Sequence, residues 1–262
     1  MQRRSGMRRQ KRFRNNMMLL GSAALLVIII SFIIIKPELV FLQVSQENEE
    51  QEPDSEEEEV QEPEEEEEEE EEVITEYTKK IALTFDDGPS PDTTPQVLSL
   101  LDKYNAKATF FLLGERVEKH PEIVQWIYEA GHEIGNHTYN HLDLTTLTAE
   151  QIMNQYEQTD DAIMEAIGQP STVFRPPYGA KNPSVEDLIP IPMVNWTLDT
   201  NDWKHKNEEQ TLQQIKDNIH DDAIVLMHDI HASTANGLEA ILEYLTDEGY
   251  HFVTVSEMMS FW

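Results

Sequence analysis

From position 77 to 262, short β-branched runs alternate with longer amphipathic stretches, and no other feature limits the possible folds as strongly. Strands separated by helices return by crossover, so neighbouring strands run parallel and the helices cover the sheet. The strand runs lie at 80–85, 108–113, 132–135, 173–175, 193–198, 223–227 and 251–254. Helical patterns occupy the intervals near 95–103, 115–130, 148–167, 210–219 and 237–248. The third of these begins with Thr148-Ala149-Glu150-Gln151, a capping-box pattern in which Thr and Gln side chains accept each other's backbone N–H. The expected class is α/β, as an irregular (β/α)7-type barrel.

The chain before position 77 has a different composition. Residues 43–76 contain 20 Asp and Glu, no Lys or Arg, and an unbroken Glu run over 64–72. Mutual repulsion and the scarcity of apolar side chains predict a disordered acidic stalk over 36–76. Upstream, Arg3, Arg4, Arg8, Arg9, Lys11, Arg12 and Arg14 precede an uncharged stretch at 17–35. That stretch is long enough to cross a hydrocarbon core of ~30 Å as a helix. The basic flank predicts a single-pass anchor with segment 1–16 cytoplasmic and the 77–262 domain on the outer, cell-wall side of the membrane. A cleaved signal peptide is the alternative, but Lys36-Pro37-Glu38-Leu39-Val40 offers no small-x-small cleavage site.

Charge and composition exclude several functions. Residues 77–262 carry 30 acids against 11 bases, so phosphate is repelled and nucleic acid is not an expected partner. The chain has no cysteine, which removes disulfides, thiolate metal sites and a cysteine nucleophile. No protein partner is implied.

The polar residues at the strand ends are more informative. Asp86-Asp87 follow the first strand, His137 and His141 the third, Arg175 ends the fourth, Asp199 and Asp202 follow the fifth, and His228 the sixth. In a parallel β/α barrel these ends open onto one face, where such folds carry their chemistry. A single Asp after a strand is commonly a helix cap; five of the first six strands ending in ionisable groups form a convergent site. The stretches Thr84-Phe85-Asp86-Asp87-Gly88-Pro89, His137-Thr138-Tyr139-Asn140-His141, Arg175-Pro176-Pro177-Tyr178-Gly179, Asp199-Thr200-Asn201-Asp202-Trp203 and Leu226-Met227-His228 occur in that order. Together they resemble the five motifs of the polysaccharide deacetylase family, carbohydrate esterase family 4, also called the NodB homology domain. The resemblance covers roughly 78–258.

The residue types suit hydrolysis assisted by a metal. His137 and His141, four apart, would face one way on a helical turn, and with one carboxylate they form a two-His, one-carboxylate face with positions left open. The family resemblance makes Asp87 that carboxylate. Zinc is the first expectation, and cobalt or nickel also suits nitrogen and oxygen donors. The resemblance further implies Asp86 as general base, Arg175 as the cation holding it, and the Tyr178 backbone N–H as oxyanion donor. It implies His228 as general acid oriented by Asp199, with Trp203 and Leu226 around the acetyl methyl. An Arg beside Asp86 is expected to lower its pKa. His231 lies close in sequence without an assigned role. His120, His132, His205, His220 and His251 are read as surface or structural.

The resulting expectation is hydrolysis of the N-acetyl group of N-acetylglucosamine in a polymer, leaving glucosamine and acetate. The anchor and stalk resemble those of bacterial cell-wall members and point to peptidoglycan. Family members acting on N-acetylmuramic acid often carry Asn at the position of Asp87, so this Asp favours N-acetylglucosamine. The alternatives are deacetylation of chitin oligosaccharides or poly-N-acetylglucosamine, O-acetylxylan esterase activity, and a non-catalytic glycan-binding module.

Overall fold

Lys80–Asp86 (β1) is buried along its whole length and lies between Ala108–Leu112 (β2) and Ala223–His228 (β6). Glu133–Asn136 (β3) and Val173–Phe174 (β4) extend the sheet on one side, and Leu198–Asp199 (β5) on the other. The order is β4-β3-β2-β1-β6-β5, with His251–Phe252 (β7) pairing the start of β1, and every pairing is parallel. The computed structural model describes residues 79–260. The expected basic segment 1–16, the span 17–35 and the stalk 36–76 lie outside them; among the described residues no helix is long and apolar enough to cross a membrane.

The run at 193–198 does not form one regular strand. Its start bonds to β4, where Val194 N–H donates to the Phe174 carbonyl at 2.8 Å beside a parallel bridge between Phe174 and Met193. Its end bonds to β6: Thr197 N–H donates to the Ile224 carbonyl at 2.9 Å, and only Leu198–Asp199 form a ladder. The two edges of the sheet are thus joined by one short segment that changes partners, because no strand there is long enough to pair with both.

Alternation along the central strands sorts the side chains. Ile81, Leu83 and Phe85 of β1 and Ala223, Val225 and Met227 of β6 join the core formed with the helices. Ala82 and Ile224 belong to a second, inner cluster with Phe111, Val173, Val194, Val253, Val255 and Met258. Successive residues point to opposite faces, so Ala82, Thr84 and Asp86, like Ile224, Leu226 and His228, share the inner face. Apolar at its lower end, this face becomes ionisable where the strands finish. The lower end is closed by Val255–Ser260 and by Glu133, whose carboxylate accepts from Thr109 Oγ1 at 2.8 Å, Thr172 Oγ1 at 2.6 Å and Ser256 N–H at 3.1 Å.

The expected helical stretches are present, two of them revised, and helices also form at Pro183–Leu188, Asp202–His205 and Val255–Ser260, where none was expected. In chain order the helices are α1 (Thr94–Lys103), α2 (Gly114–Val117), α3 (Pro121–Glu129), α4 (Ala149–Ile167), α5 (Pro183–Leu188), α6 (Asp202–His205), α7 (Glu208–Asn218), α8 (Ala232–Asp247) and α9 (Val255–Ser260). The stretch 115–130 is two helices, because Pro121 offers no N–H and drives His120 out of helical geometry, to φ −138° and ψ 51°. Helix α8 starts five residues before the expected 237. Gly237 is not its start but a contact point, where a Cβ would lie 3.1 Å from Glu208 Cβ at the start of α7. The capping box of α4 is present in both directions.

His132 is buried against Phe110, with ring centroids 5.5 Å apart, and its Nδ1 has no hydrogen-bond partner. Burial, with Lys107 nearby, holds its pKa at about 4 against an ordinary 6.5. The native state therefore favours the neutral ring: its contribution is complete above pH 6.5 and is lost as pH falls from there towards 4. Urea unfolding at pH 7.5 and 4.5 should show His132→Phe losing less stability than the parent on acidification, by roughly 2–3 kcal/mol. Equal acid sensitivity of the two proteins would remove His132 as the cause.

Candidate active site

Strands β1 and β6 end at one level, since Asp86 and His228 are register partners. Both face inward, so a carboxylate and an imidazole stand side by side at the mouth of the apolar interior. Asp86 Oδ1 accepts from Arg175 Nη1 at 2.7 Å. Arg175 is fully buried beneath the site, and the rest of its guanidinium is also engaged. Nη1 donates to Thr84 Oγ1 at 2.7 Å, Nε to the Val194 carbonyl at 3.1 Å and Nη2 to the Asn195 carbonyl at 3.2 Å, while Cζ lies 4.0 Å from the centre of the Phe111 ring. Burial pushes the Asp86 pKa up; the charge of Arg175 pulls it down, and burial prevails. This corrects the expectation of a depressed pKa: Arg175 acts in the expected direction, but desolvation of the fully enclosed carboxyl is larger.

The third strand delivers the two histidines on a loop rather than the helical turn expected from their spacing. Thr138 and His141 have φ of 70° and 61°. Side-chain acceptors replace the helical ladder. Asn136 Oδ1 accepts from Thr138 N–H at 2.9 Å, Thr138 Oγ1 from His141 N–H at 3.2 Å, and Gln155 Oε1 from the N–H groups of Tyr139 and Asn140 at 3.1 and 3.2 Å. The rings nonetheless converge on Asp87, whose Oδ1 lies 3.5 Å from His137 Nε2 and 3.4 Å from His141 Nε2.

One ligand atom from each of Asp87, His137 and His141 lies within 4.8 Å of the other two, as a shared cation requires. Three further features fit a divalent metal. Asp87 Oδ1 is buried with no hydrogen-bond partner. His137 Nδ1 lies 2.6 Å from the Arg175 carbonyl, which fixes the proton there and leaves Nε2 as the bare donor. Burial lowers the His137 pKa to about 3, so the ring is neutral, as a ligand must be.

The partner of His228 is not the one expected. Asp202 Oδ1 accepts from His228 Nδ1–H at 2.8 Å, and Oδ2 accepts from His228 N–H and Thr234 Oγ1, both at 2.7 Å. Asp199 is occupied locally: its Oδ1 accepts from Asn201 N–H at 2.8 Å, and Asn201, at φ 56°, turns the chain so that Asp202 points back towards β6. Burial alone would lower the His228 pKa, but the hydrogen bond and charge of Asp202, with Asp86 and Asp87 beyond, hold it at about 9. Burial likewise raises the Asp202 pKa, and its bonds from His228 and Thr234 outweigh that and keep it low. The sequence placed two aspartates three residues apart, and spacing could not choose between them.

A cavity of about 370 Å³ opens over these groups. Asp86, Asp87, His137, His141, Tyr178, Asp199, Trp203, Leu226 and His228 line it, with Arg175 below. Trp196 also lines it and escaped the sequence reading; its alternation with inward-facing Val194 was the available signal. Tyr178 sits at φ 62° before Gly179 at φ 64°, and Asn195 Nδ2 donates to the Gly179 carbonyl at 3.2 Å. The Tyr178 ring packs edge-on against His141 at 4.6 Å and is otherwise exposed, as is Trp203. His231 stands 5.9 Å from His228, ring to ring.

Residues 74–189 match the family model for polysaccharide deacetylase. A peptidoglycan-N-acetylglucosamine deacetylase of Listeria monocytogenes is 44% identical over 180 residues, 69% of this chain and 39% of that protein. A peptidoglycan-N-acetylglucosamine deacetylase of Bacillus cereus is 39% identical over 191 residues, 70% of this chain and 89% of that protein. The structure of peptidoglycan deacetylase PdaC from Bacillus subtilis matches with a TM-score of 0.70 at 38% identity, covering 72% of this chain and 93% of that one. In sequence, PdaC, a peptidoglycan-N-acetylmuramic acid deacetylase, is 39% identical over 180 residues, 69% of this chain. The matched region spans 39% of the Listeria protein and 38% of PdaC. Sequence motifs, parallel α/β fold and relatives agree: the chain belongs to the polysaccharide deacetylase family.

Proposed function

We propose that this chain is a metal-dependent hydrolase that removes the acetyl group from N-acetylglucosamine in peptidoglycan. The observation that carries the reading is the pairing of Asp86 with His228 beside the converging donors of Asp87, His137 and His141. A divalent cation held by those donors, zinc first with cobalt or nickel also suited, would polarise the acetamide carbonyl and make water more acidic. Asp86, steadied by Arg175, takes a proton from the attacking water. The Tyr178 backbone N–H donates to the carbonyl oxygen as it gains charge. His228, kept protonated by Asp202, gives a proton to the departing nitrogen, so acetate and glucosamine result. Trp196, Trp203 and Leu226 supply the apolar wall that suits an acetyl methyl.

The polymer is inferred from the relatives and from the anchor and stalk. Purified full-length chain with peptidoglycan, chitopentaose and acetylated xylan as substrates separates the readings. Amine should appear from peptidoglycan, and mass spectrometry of muramidase fragments should place the lost acetyl on N-acetylglucosamine. Loss from N-acetylmuramic acid would move the substrate to the other sugar, and loss from chitopentaose or xylan alone would remove peptidoglycan. Chelation should abolish the activity and added Zn²⁺ or Co²⁺ restore it; full activity of verified metal-free protein would remove the metal. His137→Ala should lose bound metal with its circular dichroism little changed.

The same proposal anchors 17–35 in the membrane, with 1–16 cytoplasmic and the catalytic domain carried outward on 36–76. Protease applied to wall-stripped intact cells should remove the domain and spare the basic segment. A mature N-terminus beyond Ile35 would mean cleavage instead.

A further inference from the structure

Asp229 has no part in the mechanism above, yet it is a fully buried carboxylate beside the site, packed against Gly88. It follows His228 directly. Its Oδ2 accepts from the Thr94 hydroxyl, and its main-chain carbonyl accepts from the Thr93 hydroxyl, which ties the end of β6 to the start of α1. Thr94 Oγ1 in turn accepts from Ser90 N–H at 2.8 Å, two residues beyond Gly88. Oδ1 has no hydrogen-bond partner. An enclosed carboxylate with one oxygen unsatisfied is costly, and a smaller or apolar residue would be the ordinary choice for filling space.

The carboxylate is pressed against Gly88. A Cβ built at position 88 would lie 2.6 Å from Asp229 Oδ1 and 2.8 Å from Oδ2. Gly88 is not among the glycines with positive φ, so its backbone conformation does not demand glycine. The contact with Asp229 does. Asp87, immediately before, sits at φ 72°, a conformation that the surroundings must impose on a residue with a side chain. We infer that Asp229 is a positioning residue: its carboxylate, fixed by Thr94, braces the Asp86-Asp87-Gly88 turn and sets its distance from His228. One contact therefore fixes a metal donor, the base and the acid relative to one another. The inference rests on the roles proposed above for those three residues.

The test reads zinc affinity by competition with a chromophoric chelator, which needs no turnover, alongside kcat and KM for deacetylation. Asp229→Ala should weaken zinc binding about 10-fold, the usual scale for a lost supporting contact. It should lower kcat about 10- to 100-fold with KM changed far less, because the turn relaxes away from the acid. Asp229→Asn, which keeps the shape and can accept from Thr94, should recover most of both losses. Gly88→Ala should be damaged in the parent but improved when combined with Asp229→Ala, since the second change vacates the space the new methyl needs. Zinc affinity and kcat of Asp229→Ala equal to the parent, or a double variant no better than Gly88→Ala, would overturn the inference. A loss of thermal stability with unchanged zinc affinity would also overturn it, leaving Asp229 as packing. Should Asp229→Ala not fold, Thr94→Val carries the test: weakened zinc binding supports the brace and parental binding refutes it. If no variant deacetylates any glycan but the zinc series holds, the proposed function fails and the brace stands.

Discussion

Asp86→Asn should lower deacetylation by roughly 10²- to 10⁴-fold, the usual weight of a general base, while bound metal is retained. The substitution barely changes volume, and Asp86 lies beside the donor set of Asp87, His137 and His141 rather than within it. Its one strong partner, Arg175, is held by Thr84 and by the Val194 and Asn195 carbonyls as well, so the cation stays in place. His228→Ala should differ in which substrates it harms. An amine leaves a tetrahedral centre poorly unless protonated, whereas the alkoxide of an activated aryl acetate leaves with little help. Asp86→Asn should therefore damage amide and activated-ester hydrolysis alike, and His228→Ala should damage the amide far more. Equal losses on both substrates for His228→Ala would overturn its assignment as the acid.

Asp202→Asn should move the alkaline limb of the pH–rate profile downward by about two pH units or more. His228 titrates at about 9 because Asp202 outweighs the burial that would otherwise take the ring below 6.5. Without the carboxylate, the protonated fraction at pH 8 falls from nearly all to a few per cent, so activity there should drop by roughly 30-fold and recover partly on acidification. Stability should follow. A raised native pKa contributes fully below pH 6.5 and is lost as pH climbs through 9, so the parent should lose stability over that window and Asp202→Asn should not. An unmoved alkaline limb would mean that another group sets it. Asp199→Asn is the control: Asp199 bonds to Asn201 and not to His228, so it should leave the limb in place.

Much of this site was legible from residue order alone. Parallel strands connected by helices must deliver their C-terminal ends to one face, so Asp86, His137, Arg175 and His228 needed no long-range information to be assigned together. Alternation then fixes which residues point inward. Asp86 and His228 are the last inward positions of β1 and β6, and Leu226 is the one before. The capping box at Thr148 is likewise a local consequence of side-chain chemistry; so is the break at Pro121, although the continuous amphipathic pattern over 115–130 hid it.

What the sequence could not decide turns on side chains meeting across the fold. Asp199 and Asp202 are equivalent as letters; a single left-handed residue, Asn201, determines which of them reaches β6. The convergence of His137 and His141 depends on acceptors from Asn136, Thr138 and the distant Gln155, not on a helical period. Even the direction of the Asp86 pKa required the structure, because Arg175 could be named in advance but the extent of desolvation could not. Local sequence determines which face a side chain takes, through steric rules that act within a few residues. Partner choice, burial and pKa are sums over groups far apart in the chain, and they acquire values only once the parallel sheet has brought those groups within a few ångströms.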